Sequence, residues 1–177
     1  MAVSAIAQVQ RTTVTWLDDV KPSGWNKGGA PIPEAPKASQ PVEAKCREQA
    51  RPAQSDDDKR VRDRGWDLIG AYEGGWEVVI IHATAGYDGM CRPQQYQEFV
   101  FVKGAFAGTL SPQPMDSRTD GSLTRVSLEG PARLIAEYQR YAAKDPLCCP
   151  SRTTTVVFKI PVGSPVVQPV SSSTTAR

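Results

Sequence analysis

Two short runs of ring-bearing and β-branched residues limit what this chain can become. Val78-Val79-Ile80-Ile81 is β-branched throughout, and Phe99-Val100-Phe101-Val102 alternates rings with valine. Such side chains fit a pleated, half-buried surface. Residues 66–72 and 77–84 are separated by Gly74-Gly75, a two-glycine turn signal, and read as one hairpin. Residues 98–103 and 105–110 flank Gly104 and read as a second, which Ser111-Pro112-Gln113-Pro114 ends. Residues 122–128 and 154–160 alternate apolar and polar positions, as half-buried strands do. Residues 132–142 fit a helical face and a strand equally well. Residues 56–64 are a charged run that predicts a short helix, capped by Ser55 and ended at Gly65. The fold expected is mainly β, or α+β: an antiparallel, curled sheet of about five or six strands with a short N-terminal helix.

The ends of the chain have a different composition from the middle. Of 177 residues, 15 are Pro and 14 are Gly, which describes a loop-rich single domain rather than a helical bundle. Residues 1–8 are small and mostly apolar, with Ala5-Ile6-Ala7 before Gln8, and read as the remnant of a signal peptide. Residues 9–45 form an extended, Pro-rich arm. Trp16, Leu17 and Trp25 in that arm are large apolar groups that a solvated linker has no reason to keep. They are expected to dock either on the domain itself or on a partner, another envelope or membrane-complex protein. The folded domain is expected over residues 46–162, and residues 163–177, with hardly a charge, as a disordered tail. The net charge of +2 arises from Lys and Arg mixed with Asp and Glu throughout, so no nucleic acid is expected as a partner. No stretch reaches the eighteen apolar residues of a membrane span.

The four cysteines, Cys46, Cys91, Cys148 and Cys149, match no zinc spacing, and His82 is the one histidine. An even number in an exported chain predicts two disulfides. If the Cys148-Cys149 segment is extended, its side chains project to opposite sides, so each is expected to pair with one of Cys46 and Cys91. Which pairs with which is left open.

Constellations with chemical outlines are few. Asp116-Ser117-Arg118-Thr119-Asp120-Gly121 has the outline of a calcium loop, but Arg118 stands where a second acid belongs, and a β-turn is the better reading. His82 could be drawn with Asp88 and Ser111 or Ser151 as a hydrolase set, without any nucleophile-elbow motif to support it. Arg92, Arg118, Arg125, Arg133, Arg140 and Arg152 are spread through the core region as charges that could meet an anion. No catalytic residue, metal or cofactor is expected, and the chain is read as not an enzyme.

Three stretches taken together resemble a known family: residues 87–93 (Tyr87-Asp88-Gly89-Met90-Cys91-Arg92-Pro93), residues 99–121, and above all Asp145-Pro146-Leu147-Cys148-Cys149-Pro150-Ser151. They resemble the LppP/LprE lipoproteins of the bacterial envelope, over residues 46–160. The resemblance implies an exported, β-rich domain and favours a strand over residues 132–142. It implies no reaction. A lipid-bearing cysteine would follow an apolar stretch near the start, whereas Cys46 follows Val42-Glu43-Ala44-Lys45, so a soluble periplasmic or secreted form is expected. The function expected is a non-enzymatic accessory, structural or partner-binding role in the envelope, with a small-ligand, lipid or glycan binding protein as the alternative.

Overall fold

The structure, a computed structural model, describes residues 16–21, 24–37 and 42–177. Two helices, α1 (Ala44–Arg47) and α2 (Asp56–Arg62), precede eight strands: β1 (Asp67–Gly75), β2 (Val78–Tyr87), β3 (Pro93–Val102), β4 (Ala105–Thr109), β5 (Leu123–Leu128), β6 (Arg133–Arg140), β7 (Arg152–Lys159) and β8 (Gln168–Ala176). They form two antiparallel sheets of four strands, β1-β2-β3-β4 and β5-β6-β7-β8, in place of the one curled sheet of five or six that local patterns predict. The ambiguous segment at 132–142 is strand β6, with Leu134, Ala136 and Tyr138 buried on one face.

The period of two decides how the sheets stack. On β2 and β3, Val78, Ile80 and Val100 face Leu134, Ala136, Tyr138, Val156 and Phe158 of the second sheet in one core. The alternate positions Ile81, Ala83, Phe99 and Phe101 face the other way, onto Val61, Trp66 and Ile32. The first sheet is thus covered on both faces, which explains why its two central strands read as nearly continuous apolar runs. Helix α2 is the outer cover. Ser55 Oγ accepts from Asp58 N at 3.1 Å. The fully buried Asp58 carboxylate takes two 2.7 Å hydrogen bonds from Arg51 and one from Gln54 N.

The hairpin turns are tight, but the first is displaced from its predicted place. Gly75 pairs with Val78, so the two turn residues are Trp76 and Glu77, both left-handed at φ 50° and 64°. Gly74 and Gly75 lie within β1. At the second hairpin Val102 pairs with Ala105, and Lys103 joins the expected Gly104 in the turn.

Three expectations, the disordered tail, the 46–162 bounds and the disulfide pairing, are corrected here. Residues 163–177 are not a disordered tail: β8 pairs with β7 from Arg152↔Ala176 to Lys159↔Gln168, led in by the buried Val166 and Val167. Its Ser and Thr residues carry little apolar area, and it is the open edge of β7 that orders them. The folded unit therefore extends beyond 46–162 in both directions. Trp16, Leu17 and Trp25 pack on the domain itself, one of the two places expected for them. Leu17 is 1% exposed, Trp16 meets Trp25 and Tyr138 edge-on, and Trp25 Nε1 donates to Thr109 O and Oγ1 at 3.1 Å. Asp18 reaches the buried Arg140, which also binds Asp120. The disulfides join Cys46 to Cys91 and Cys148 to Cys149, not one doublet cysteine to each distant one. The doublet is not extended: Cys149 N bonds Pro146 O in a turn between β6 and β7, so its side chains do not diverge. Residues 1–8, the signal-peptide reading, lie outside the described residues.

Candidate functional site

Closure of the sandwich differs between its two sides. Along β4 and the lead into β8, the arm fills the gap: Asn26 Nδ2 donates to Thr109 O and Val167 O, and Asn26 Oδ1 accepts from Thr109 N, each at 2.9 Å. Beside β1 and β5 a cleft of ≈ 570 Å³ remains, within the usual range of small-molecule sites. Its walls are apolar where Ile69, Ala71, Pro93, Leu123 and Val126 contribute.

Strand β1 opens this side by a bulge. Ile69 pairs with His82 and Glu73 with Ile80, so Gly70, Ala71 and Tyr72 loop outward opposite the single residue Ile81. Gly70 adopts φ +68°, and its bare α-carbon lies against the His82 ring, which a Cβ would touch at 3.4 Å. A glycine is what this close left-handed approach requires.

On the cleft floor the inner face of the first sheet turns from apolar to polar. Val78↔Val102 and Ile80↔Val100 belong to the core, and the next inward pair along is His82↔Glu98. His82 Nδ1 contacts Glu98 Oε2, and His82 Nε2 lies 3.5 Å from Glu73 Oε1. Glu98 is 3% exposed, and among the described residues its Oε2 has no hydrogen-bonding donor other than the His82 ring nitrogen. Burial works against the His82 imidazolium, but the carboxylates of Glu98 and then Glu73 outweigh it, and the pKa lies above the ordinary histidine value. Tyr96 and Tyr138 stand beside Glu98, with hydroxyls donating to Leu123 O and Leu110 O. Burial, reinforced by Glu98, pushes both phenols well above their usual range.

The hydrolase constellation is not assembled. Asp88 holds Arg92 at 2.6 Å, Ser111 Oγ bonds Gln97 and Gln113, and Ser151 Oγ bonds Asp145, so none of them partners His82. The Asp116–Gly121 segment is a turn, with Asp116 accepting from Gln95 N and Asp120 paired to Arg140. Of the six arginines, Arg92, Arg133 and Arg140 are in ion pairs and Arg152 donates to Tyr141 O. Arg118 and Arg125 line the cleft mouth and are exposed. Glu73 and Glu98 escaped the sequence reading. A carboxylate directly before Phe99-Val100-Phe101-Val102 was the available signal, since a charge inside an apolar strand needs a partner.

Comparison with known proteins bears on residues 75–161. That segment matches the LppP/LprE lipoprotein family model. The match includes β2 to β7, the doublet Cys148-Cys149 and the cleft residues His82 and Glu98, while Cys46, Glu73 and β8 lie outside it. No curated protein and no solved structure matches the chain. The family matched is one of lipoproteins, which suggests the cell envelope. Among the described residues no helix is long and apolar enough to cross a membrane.

Proposed function

We propose that this LppP/LprE-type chain is a non-enzymatic binding protein of the cell envelope, whose ligand is a small amphipathic molecule held in the β1/β5 cleft. The observation that supports it most is the cleft itself. A ≈ 570 Å³ space with apolar walls ends on a buried, charged His82–Glu98 pair. Apolar walls with a few convergent polar groups are what binding sites for small ligands have in common. The arm supports a ligand role over a partner role, because its large apolar groups are already used to close the opposite side.

Native mass spectrometry after gentle purification from the envelope fraction tests the reading. A bound species is expected on the wild type and is lost from Ala71→Trp, which obstructs the cleft mouth from the β1 bulge. If the wild type carries nothing, or Ala71→Trp carries the same species, the reading fails. A species that the protein converts chemically would replace the binding role with a catalytic one.

An accessory role beside another envelope protein is the second reading, and one observation favours it. Trp76 is 61% exposed at the tip of the β1–β2 hairpin. Trp76→Ser should then shift the protein from a high-mass envelope fraction to the monomer position on size exclusion. A wild type already at the monomer position removes the motive.

A further inference from the structure

We propose that the polar end of the cleft ligand is a primary ammonium group, bound between Glu73 and Glu98 in competition with the proton of His82. The inference rests on the cleft-ligand reading above and concerns which chemistry the floor accepts. Two carboxylates face one imidazole there, Glu98 from β3 and Glu73 from β1. Even a fully protonated His82 leaves the three groups with a net charge of −1, and a neutral one leaves −2.

The other groups around the floor do not cancel that charge. The Tyr96 and Tyr138 hydroxyls donate to backbone carbonyls and not to the carboxylates. Arg92 is held by Asp88. Arg125 stands across from Glu137 in the β5–β6 pairing. Arg118 is exposed at the mouth, where solvent and salt screen it over about 8–10 Å. Glu98, at 3% exposure, is in a far lower dielectric. A charge 4 Å away interacts about four times more strongly at an effective dielectric of 20 than in bulk water. The buried anion therefore governs what enters.

A buried carboxylate has more acceptor positions than one imidazole nitrogen fills. An ammonium brings three donors and a positive charge on a compact head, and the apolar walls receive its hydrocarbon stem. With the ammonium in place the imidazolium is no longer favoured, so binding expels a proton. Affinity for a cation should rise with pH, whereas an anion would bind better at low pH.

Isothermal titration of the full chain with decylammonium, decanol and decanoate, below their micellar concentrations and at pH 6 and pH 8, tests this. Decylammonium is expected to bind about tenfold more tightly than the other two at pH 8, a difference of about 1.4 kcal/mol. Buffers of different ionisation enthalpy should show proton release. Glu73→Gln, at a half-exposed position, should abolish the preference while keeping the fold, and His82→Gln should abolish the pH dependence. Equal affinities, or a preference for decanoate, would overturn the ammonium inference and leave the cleft reading standing. Binding of none of the three, with Ala71→Trp indistinguishable from wild type, would remove both.

Discussion

Asn26 and Gly108 share one volume: a Cβ on Gly108 would lie 2.2 Å from Asn26 Cγ. Gly108 has φ +129° at the irregularity where β3 and β4 shift register, so the missing side chain is where the arm enters the sheet edge. Gly108→Ala both strains the backbone and evicts Asn26, which makes three hydrogen bonds to Thr109 and Val167. A loss of about 2–4 kcal/mol is expected, combining backbone strain with unpaired buried groups. Thermal unfolding measures it, and a Gly108→Ala protein melting within a degree of wild type would contradict the contact.

Leu17 extends the same argument to the core. It is 1% exposed within the apolar cluster between the sheets, so Leu17→Ala should cost about 2–5 kcal/mol, as other buried leucines do. An arm that merely rested on the surface would give under 1 kcal/mol. Limited proteolysis of the isolated protein gives a second readout. Residues 24–37 should resist cleavage without any partner, and rapid cutting there would restore the partner-docking idea.

The two disulfides should contribute very unequally. Cys46–Cys91 spans 45 positions, and restricting a loop of that length stabilises by about 4 kcal/mol in the chain-entropy account. Cys148–Cys149 closes almost no chain. Replacing Cys46 and Cys91 by serine should lower the melting temperature by about 8–16 °C, at roughly 2–4 °C per kcal/mol for a domain of this size. The Cys148/Cys149 double serine should stay within about 2 °C. Cys148 and Cys149 are exposed while Cys46 is buried, so graded reduction followed by alkylation should label the doublet first. Cross-linked peptides joining either doublet cysteine to Cys46 or Cys91 would overturn this pairing.

What could be read from the sequence is what short-range pattern decides. Val78–Ile81 and Phe99–Val102 announced strands, Gly104 a tight reversal, and Ser55 a helix cap, because each depends on neighbours within a few positions. The division into two sheets was not legible, since β5 and β4 carry no local mark of belonging to different layers. The strand over 168–176 was hidden for a related reason: Pro169 and the Ser-Thr run have little apolar area, and their order comes from the β7 edge. Neither was the candidate site visible. Closeness in the chain pairs His82 with Asp88, whereas its partner Glu98 is reached through the β2–β3 register and Glu73 through a bulge in β1. Cross-strand register is a non-local quantity, and one sequence does not print it.

The carboxylates around His82 should also leave a signature in the stability of the unliganded protein. Burial, the largest single influence, lowers the histidine pKa, and the Glu98 contact followed by Glu73 more than reverses it, giving a native value above the ordinary 6.5. The folded state therefore binds the proton more tightly than the unfolded chain does. Stability from this source is fully present below about pH 6.5 and is lost as pH rises through the higher native value, beyond which it contributes nothing. The melting temperature should fall across that window and then level off. His82→Gln cannot take up the proton and should remove the fall, whatever its own stability. Glu98→Gln takes away the stronger carboxylate while keeping the shape, so burial of the ring prevails, the native value drops below the unfolded one, and the fall should give way to a rise of stability with pH up to about 6.5. Melting curves of the three proteins in matched buffers from pH 5.5 to 9 decide it, and a wild-type profile parallel to that of His82→Gln would mean that His82 holds no extra proton between Glu98 and Glu73.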